Sequence, residues 1–258
     1  MTPPPPTGGE GASAPHAPVP AAAPPDAPGA ALGFPRLHLY RTDSTNLRAR
    51  ELAAAGAPHG TLVTASEQTA GRGRQGRTWL APPRSSVLMS LVLRDGRPLL
   101  SLAAGVAVAT TAERLGAADV GIKWPNDVWI AGAKTAGILV EARPQDGWAV
   151  LGIGLNVALG PEDLPADLQG RATSLGLDPE DTEAVLRTLL GELRHWLSKP
   201  ASGVLEAVRA RDALLGRTVH WQGGSGDAVG IGDEGQLLVD TASGRIGLDA
   251  GEVHLSLG

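Results

Sequence analysis

The sequence contains no cysteine among its 258 residues. Disulfides, thiolate metal sites and a cysteine nucleophile are thereby excluded. It also lacks an apolar run long enough to cross a bilayer. Its start lacks the basic and continuously apolar segments of a secretion signal. A cytoplasmic protein with no membrane partner is the expectation. Positive charge is not in excess either: 22 Lys and Arg against 27 Asp and Glu leave a formal net charge of −5. A general nucleic-acid binder needs a basic face to neutralise phosphates, so no nucleic-acid partner is expected.

Branched apolar residues are nearly missing from the Pro/Ala/Gly tract that opens the chain. Such a composition cannot bury enough surface to offset its ordering entropy, so residues 1–34 are expected to be a disordered tail. A helix-turn-helix would have to fit there and cannot. Order is expected to begin near Leu37, where apolar residues return.

The whole chain is 42% hydrophobic and 19% charged, ordinary for a soluble globular protein. Residues 47–55 predict a short helix that follows a cap at Asp43 or Ser44 and closes at Gly56. Residues 61–66 and 87–93 have the branched or alternating character of strands. A long helix over 98–115 starts on proline and ends at Gly116. Strands follow at 120–124, 128–130, 138–141 and 148–157. Residues 182–197 carry apolar side chains at helical spacing, and 204–215 predicts another helix. From Gly216 the texture changes to short strands at 219–221, 237–239 and 253–257 between glycine-rich turns, enough chain for a small β-barrel. The division expected is a mixed α/β domain over 35–214 and a small β domain over 215–258.

Within that frame, GRGRQGR at 71–77 alternates arginine with glycine. Glycines let backbone N–H groups approach an anion, and arginines grip carboxylate or phosphate through a planar fork. Gly71, Gly73 and Gly76 satisfy a dinucleotide-binding spacing, but that motif must open a helix. Here the chain runs into Pro82 and Pro83, so an anion-binding loop of another kind fits best. A solvated basic loop is the plainer alternative. KWPND at 123–127 follows a strand, and its proline fixes a turn from which Asn126 and Asp127 project. Lys134 enters an apolar strand, which is costly unless it meets an anion; a snorkelling surface lysine is the alternative. GIGLNV at 152–157 places Gly152 and Gly154 in a strand, where glycine marks a bulge or a ligand lying against the backbone. Asn156 ends it, as a ligand contact or a turn former. DSTN at 43–46 reads as a helix cap, and its small polar groups would suit a polar ring.

Taken together and in this order, DSTN, EQTAGRGRQGRTW, KWPND, KTAGILVE and GIGLNV closely resemble the biotin protein ligase family, over roughly residues 37–258. The resemblance implies an α+β fold: a mixed sheet with helices of the class II synthetase-like biotin/lipoate ligase type, then a small SH3-like β-barrel. It implies ATP-dependent formation of biotinyl-5'-AMP and transfer of biotin to a lysine of a biotin carboxyl carrier protein. ATP and biotin would be substrates, with Mg²⁺ accompanying ATP. Ser44, Thr45, Asn46 and Gln68 would contact the ureido ring. Arg72, Gly73 and Arg74 would hold biotin's carboxylate and the adenylate phosphate, with Lys134 against the reacting carboxylate and α-phosphate. Gly152 and Gly154 would let the bicycle lie on the sheet. Arg77, Trp79, Lys123, Asn126, Asp127 and Asn156 would form the nucleotide end. Lys134 and Arg74 are the implied catalytic pair.

One departure is Ala133, where many relatives carry a cation. Another is the opening tract, where relatives that double as repressors carry a winged DNA-binding domain. A lipoate ligase, a biotin-responsive repressor and a non-catalytic binding module are the rival readings. The arginine–glycine loop speaks against the first, the acidic charge against the second, and the set of cations against the third. Whether the chain forms a homodimer, and which residues hold Mg²⁺, the sequence leaves open.

Overall fold

The computed structural model describes residues 32–166, 168–249 and 253–255. Most of the expected tail lies outside these residues. Its last part does not follow the expectation: Leu32 is buried in the core, and Gly33 N–H donates to Gly60 O. The packed chain therefore includes residues before Leu37, because one apolar side chain finds a place in the core.

The larger unit is a seven-stranded sheet in the order β1-β2-β3-β7-β6-β5-β4. Its strands are β1 (Arg36–Thr42), β2 (Leu62–Gln68), β3 (Ser86–Leu93), β4 (Val120–Lys123), β5 (Asp127–Ile130), β6 (Ala133–Arg143) and β7 (Trp148–Asn156). β1 and β2 run parallel and every other neighbouring pair is antiparallel. Among the described residues there are four α-helices: α1 (Thr45–Ala54), α2 (Leu100–Arg114), α3 (Thr182–Leu197) and α4 (Ala201–Arg209).

The two faces of the sheet are treated differently. One is covered by α2 and α3, with α4 packed on α2, and holds the main core, including Met89, Leu91, Ile138, Leu151 and Ile153. α2 is built of small and branched residues and is buried on nearly every side, between the sheet and α3. The other face carries only α1, which packs Ala49 and Ala53 on Val63, Val92 and Val150. Strand pairing puts Ser90 opposite Gly152 and Gly152 opposite Leu139, two residues further along from Val92 and Val150. These positions therefore share the α1 face. Beyond the end of α1 that face is open, and the loops gather over it.

Several boundaries differ from the sequence reading. α2 begins after Pro98 because Leu99 takes a left-handed φ of 58°. The expected 204–215 helix begins earlier, at Ala201 after Pro200, and stops at Arg209. Residues 211–213 are taken instead by the edge of β4, where Ile122 N–H donates to Arg211 O and Ala213 N–H to Ile122 O. β6 extends from Ala133 to Arg143, so Lys134 lies inside a strand rather than before one. β1 went unread because an edge strand exposed on both sides shows little apolar alternation.

The smaller unit is an antiparallel sheet in the order β11-β10-β9-β8-β12. Its strands are β8 (Thr218–Trp221), β9 (Gly224–Ile231), β10 (Leu237–Thr241), β11 (Gly244–Leu248) and β12 (His254–Leu255). β9 and β11 were missed because glycine and polar residues mask their period. Val219, Ala228, Leu237 and Val239 belong to the same core cluster as the larger sheet. The turn before β10 is anchored by Trp124, whose Nε1–H donates to Gly235 O at 2.9 Å.

Candidate functional site

The start of α1 forms one end of a cavity of about 110 Å³ on the open face. Asp43 organises that helix start: its carboxylate accepts from Arg48 Nη2 at 2.7 Å and from the Ser44 N–H at 2.7 Å. The Arg48 guanidinium first, and the Ser44 N–H second, hold its carboxyl well below the usual carboxylate range. Ser44, Thr45 and Asn46 are then buried at the cavity's floor, and Gln68 on β2 joins them, its Oε1 accepting from Thr45 N–H at 2.8 Å.

The arginine–glycine segment forms a compact hairpin rather than a helix start. Arg72 bridges to Thr78, Gly73 N–H donates to Arg77 O, and Trp79 N–H returns to Gly71 O. Its tip is one short turn over Arg74–Gly76, with Gln75 at a φ of 53°. Arg72, Gly73, Arg74 and Arg77 line the cavity from this side. Arg74 Nη1 donates to Asn126 Oδ1 at 2.8 Å, so the loop tip touches the KWPND turn.

That turn supplies the opposite wall. Asn126 is fixed by the backbone of β6: its N–H groups reach Ile138 O at 3.2 Å, and its carbonyl accepts from Ile138 N–H. Lys134 Nζ donates to Asp127 Oδ1 at 2.7 Å, so the anion that a lysine in an apolar strand requires is Asp127. Lys123 lies over the Trp129 ring and lines the cavity too.

Trp79 lies across the sheet between these walls. A Cβ on Gly154 would come within 2.4 Å of its ring, and a Cβ on Gly152 within 2.0 Å of Asn46 Oδ1. Both glycines are therefore required by close approach, but the groups lying on them are Trp79 and Asn46. Trp79 Nε1 is buried and, among the described residues, has no hydrogen-bond partner. Lys134 Nζ stands 5.8 Å from the centre of its ring.

Among the described residues lining this cavity, five side chains are cationic (Arg72, Arg74, Arg77, Lys123 and Lys134) and Asp127 is the only carboxylate. Such a cleft favours an anionic ligand at the cation-rich end and a polar uncharged group at the floor. No group of three His, Asp or Glu side chains among the described residues could hold a metal by itself.

Asn156 is not among the lining residues. It is buried, its Nδ2 donates to Thr173 O at 2.9 Å, and Ser86 Oγ reaches its Oδ1 at 3.3 Å. Expected at the nucleotide end, it holds the segment after β7, which folds back onto its side chain. Sequence reasoning missed Gly137, Leu139 and Val253 as lining residues, and also the support behind Asn46. The serine within the apolar run SVLMSLVL was a legible signal for part of that support. Val253 belongs to the smaller unit and had none.

Comparisons with known proteins agree with this geometry. Residues 38–157 match the biotin/lipoate A/B protein ligase family. The chain is 39% identical to the biotin–[acetyl-CoA-carboxylase] ligase of Mycobacterium tuberculosis, over 88% of this chain and 92% of that protein. It is 38% identical to the bifunctional ligase/repressor BirA of Bacillus subtilis, over 82% and 71%. A biotin protein ligase from Aquifex aeolicus, solved with biotin and ATP, superposes with a TM-score of 0.75 at 29% identity, covering 86% of this chain and 99% of that one. The chain belongs to the biotin protein ligase family. No helix among the described residues is long and apolar enough to cross a membrane.

Proposed function

We propose that this cavity joins the carboxylate of biotin to the α-phosphate of ATP and then hands the biotinyl group to a lysine of a carboxylase carrier domain. The observation that carries the reading is the convergence of Arg74 and Lys134 on the Asn126–Asp127 turn, above a buried polar floor. A carboxylate oxygen attacks the α-phosphorus and pyrophosphate leaves. The acceptor amine then attacks the carbonyl carbon, AMP leaves, and the amine loses a proton. Two anions must meet in the first step, so fixed cations and positioning are what the protein contributes.

In this scheme Ser44, Thr45, Asn46 and Gln68 hold the ureido ring. Arg72, Gly73, Arg74 and Lys134 hold the carboxylate and phosphate, and Arg77, Trp79, Lys123, Asn126 and Asp127 the nucleotide. The bicycle would pass above Gly152 and Gly154, against Trp79 and Asn46. Mg²⁺ would enter with ATP at Asp127, which suits an ion that takes one or two carboxylates and keeps phosphate and water ligands. The acceptor follows from the names of the mycobacterial relative and of one from Paracoccus denitrificans, both biotin–[acetyl-CoA-carboxylase] ligases.

The test is incubation of the full chain with ATP, labelled biotin and a carrier domain, followed by intact-mass analysis. One biotinyl group on one carrier lysine, with stoichiometric pyrophosphate, is expected. Preferential incorporation of lipoate, or a covalent biotinyl-enzyme on the pathway, would overturn the scheme.

A further inference from the structure

Behind the cavity floor, a chain of hydrogen bonds leads from the surface to Asn46 and Thr45 through Arg50, Glu141 and Ser90, which have no role in the scheme above. Arg50 Nη1 donates to Glu141 Oε1 at 3.0 Å, and Asn46 Nδ2 donates to Glu141 Oε2 at 2.9 Å. Ser90 Oγ lies 2.6 Å from Asn46 Oδ1 and 2.9 Å from Thr45 Oγ1. Ser90 is fully buried on β3, while the Arg50–Glu141 pair keeps about a quarter to a third of its side-chain surface in solvent.

The direction of every bond in this chain is forced from one end. A carboxylate paired with a guanidinium accepts and does not donate, so it is the amide nitrogen of Asn46 that must face Glu141. Asn46 Oδ1 then faces Ser90 and can only accept, which takes the single proton of the Ser90 hydroxyl. The Thr45–Ser90 contact can therefore be a hydrogen bond only if Thr45 supplies the proton. Gln68 Oε1 accepts from the Thr45 N–H at 2.8 Å and, 3.1 Å from Thr45 Oγ1, is a second acceptor for the same hydroxyl proton, so in either arrangement that proton is given to the protein. Of the cavity-lining groups, Thr45 is left with oxygen lone pairs to offer and Asn46 with one N–H. Asn46 Oδ1 lies directly on Gly152, where a Cβ would come within 2.0 Å of it.

We infer that Glu141, held by Arg50 and acting through Asn46 and Ser90, is a positioning residue that sets the hydrogen-bond polarity of the site floor, so that Thr45 accepts an N–H from the bound ring. This rests on the reading that the ring of biotin occupies the floor. A ring in which that N–H is replaced by an oxygen meets lone pair with lone pair and is rejected. Glutamine at position 141 keeps the size but can donate as well as accept, so Asn46 can turn over and the chain can reverse.

The experiment measures calorimetric Kd values of the full-length protein for biotin and for the cyclic carbamate analogue in which one ring N–H is oxygen. It compares wild type with Glu141→Gln, Ser90→Ala and Thr45→Val, and records Tm for each. Wild type should prefer biotin by at least about tenfold, the scale of one mismatched buried hydrogen bond. Glu141→Gln and Ser90→Ala should both shrink that preference several-fold while the KM for ATP stays put. If Glu141→Gln is unstable, Ser90→Ala carries the test, because it removes the relay without touching the ion pair. Equal weakening of both ligands, or an unchanged preference in both variants, would overturn the inference while leaving the site reading intact. An unchanged biotin Kd in Thr45→Val would instead remove the floor as the ring's site, and the inference with it.

Discussion

The two ends of the cavity solve the problem of ligand recognition in opposite ways. At the floor, Ser44, Thr45 and Asn46 are buried, and Thr45 and Asn46 are bound to Gln68, Ser90 and Glu141, so their directions are set by the protein. At the other end the cations stand on a glycine-rich hairpin and on strands β4 and β6, and Arg74 and Lys134 are already engaged with Asn126 and Asp127. The floor is organised by burial, which makes an unmade hydrogen bond expensive. The cationic end is organised by charge, and its present partners are ones that an anionic ligand can replace. A buried polar network gives discrimination between similar rings; a charged end gives attraction and rate.

The sharpest way to break this contrast is Lys134→Ala. A charge on a strand is in place before the ligand arrives, and removing one such contact typically costs about 3 kcal/mol of barrier. Adenylate formation, followed as pyrophosphate release in a single turnover, should slow by about two orders of magnitude. A near-normal rate would mean that the hairpin arginines suffice.

Gly152→Ala probes the rigid end. Its Cβ would fall 2.0 Å from Asn46 Oδ1, and overpacking of a filled site costs about 1–3 kcal/mol. Biotin binding should weaken by about tenfold or more, with ATP binding little changed. An equal loss for both substrates would show that the ends are coupled rather than separate.

Arg74→Gly tests the hairpin. Its guanidinium contact with Asn126 is lost, and the hairpin should then release the mixed anhydride before the acceptor arrives. Pyrophosphate release should fall by less than in Lys134→Ala, while labelling of lysines on an unrelated protein rises. Strict specificity for the carrier would contradict the division.

The smallest effect is expected from Asp43, which braces the helix start beneath the floor. Its carboxyl is held below the usual range by Arg48 and the Ser44 N–H, so its contribution to stability is present above the unfolded carboxylate value of about 3.9. It is lost only as pH falls through the lowered folded value. Asp43→Asn should therefore lower Tm at pH 7 and converge with the wild type in strong acid. The pair keeps more than a third of its side-chain surface in solvent, so the difference should stay below about 1 kcal/mol. A difference that grows on acidification would reverse the sign of this argument.

Much of this site was legible in the chain because its chemistry is carried by short segments. GRGRQGR, KWPND and Lys134 each announce charge or a turn within a few residues, and composition alone excluded a cysteine or disulfide chemistry. The strongest strands, β3 and β7, and the helix α3 were equally plain, since their apolar periods come from burying one face or both. The edge strand β1 and the glycine-rich β9 were not, because an exposed edge and a flexible backbone leave no period to read.

What only the tertiary structure decided is which partner each polar group has. Sequence gave no reason for Lys134 to choose Asp127, for Glu141 to hold Asn46 across 95 positions, or for Asn156 to turn toward Thr173 instead of the cavity. Residue type fixes what a group can donate or accept. Its partner depends on strand register and on which face of the sheet a helix leaves open, and those are set by the packing of the whole chain.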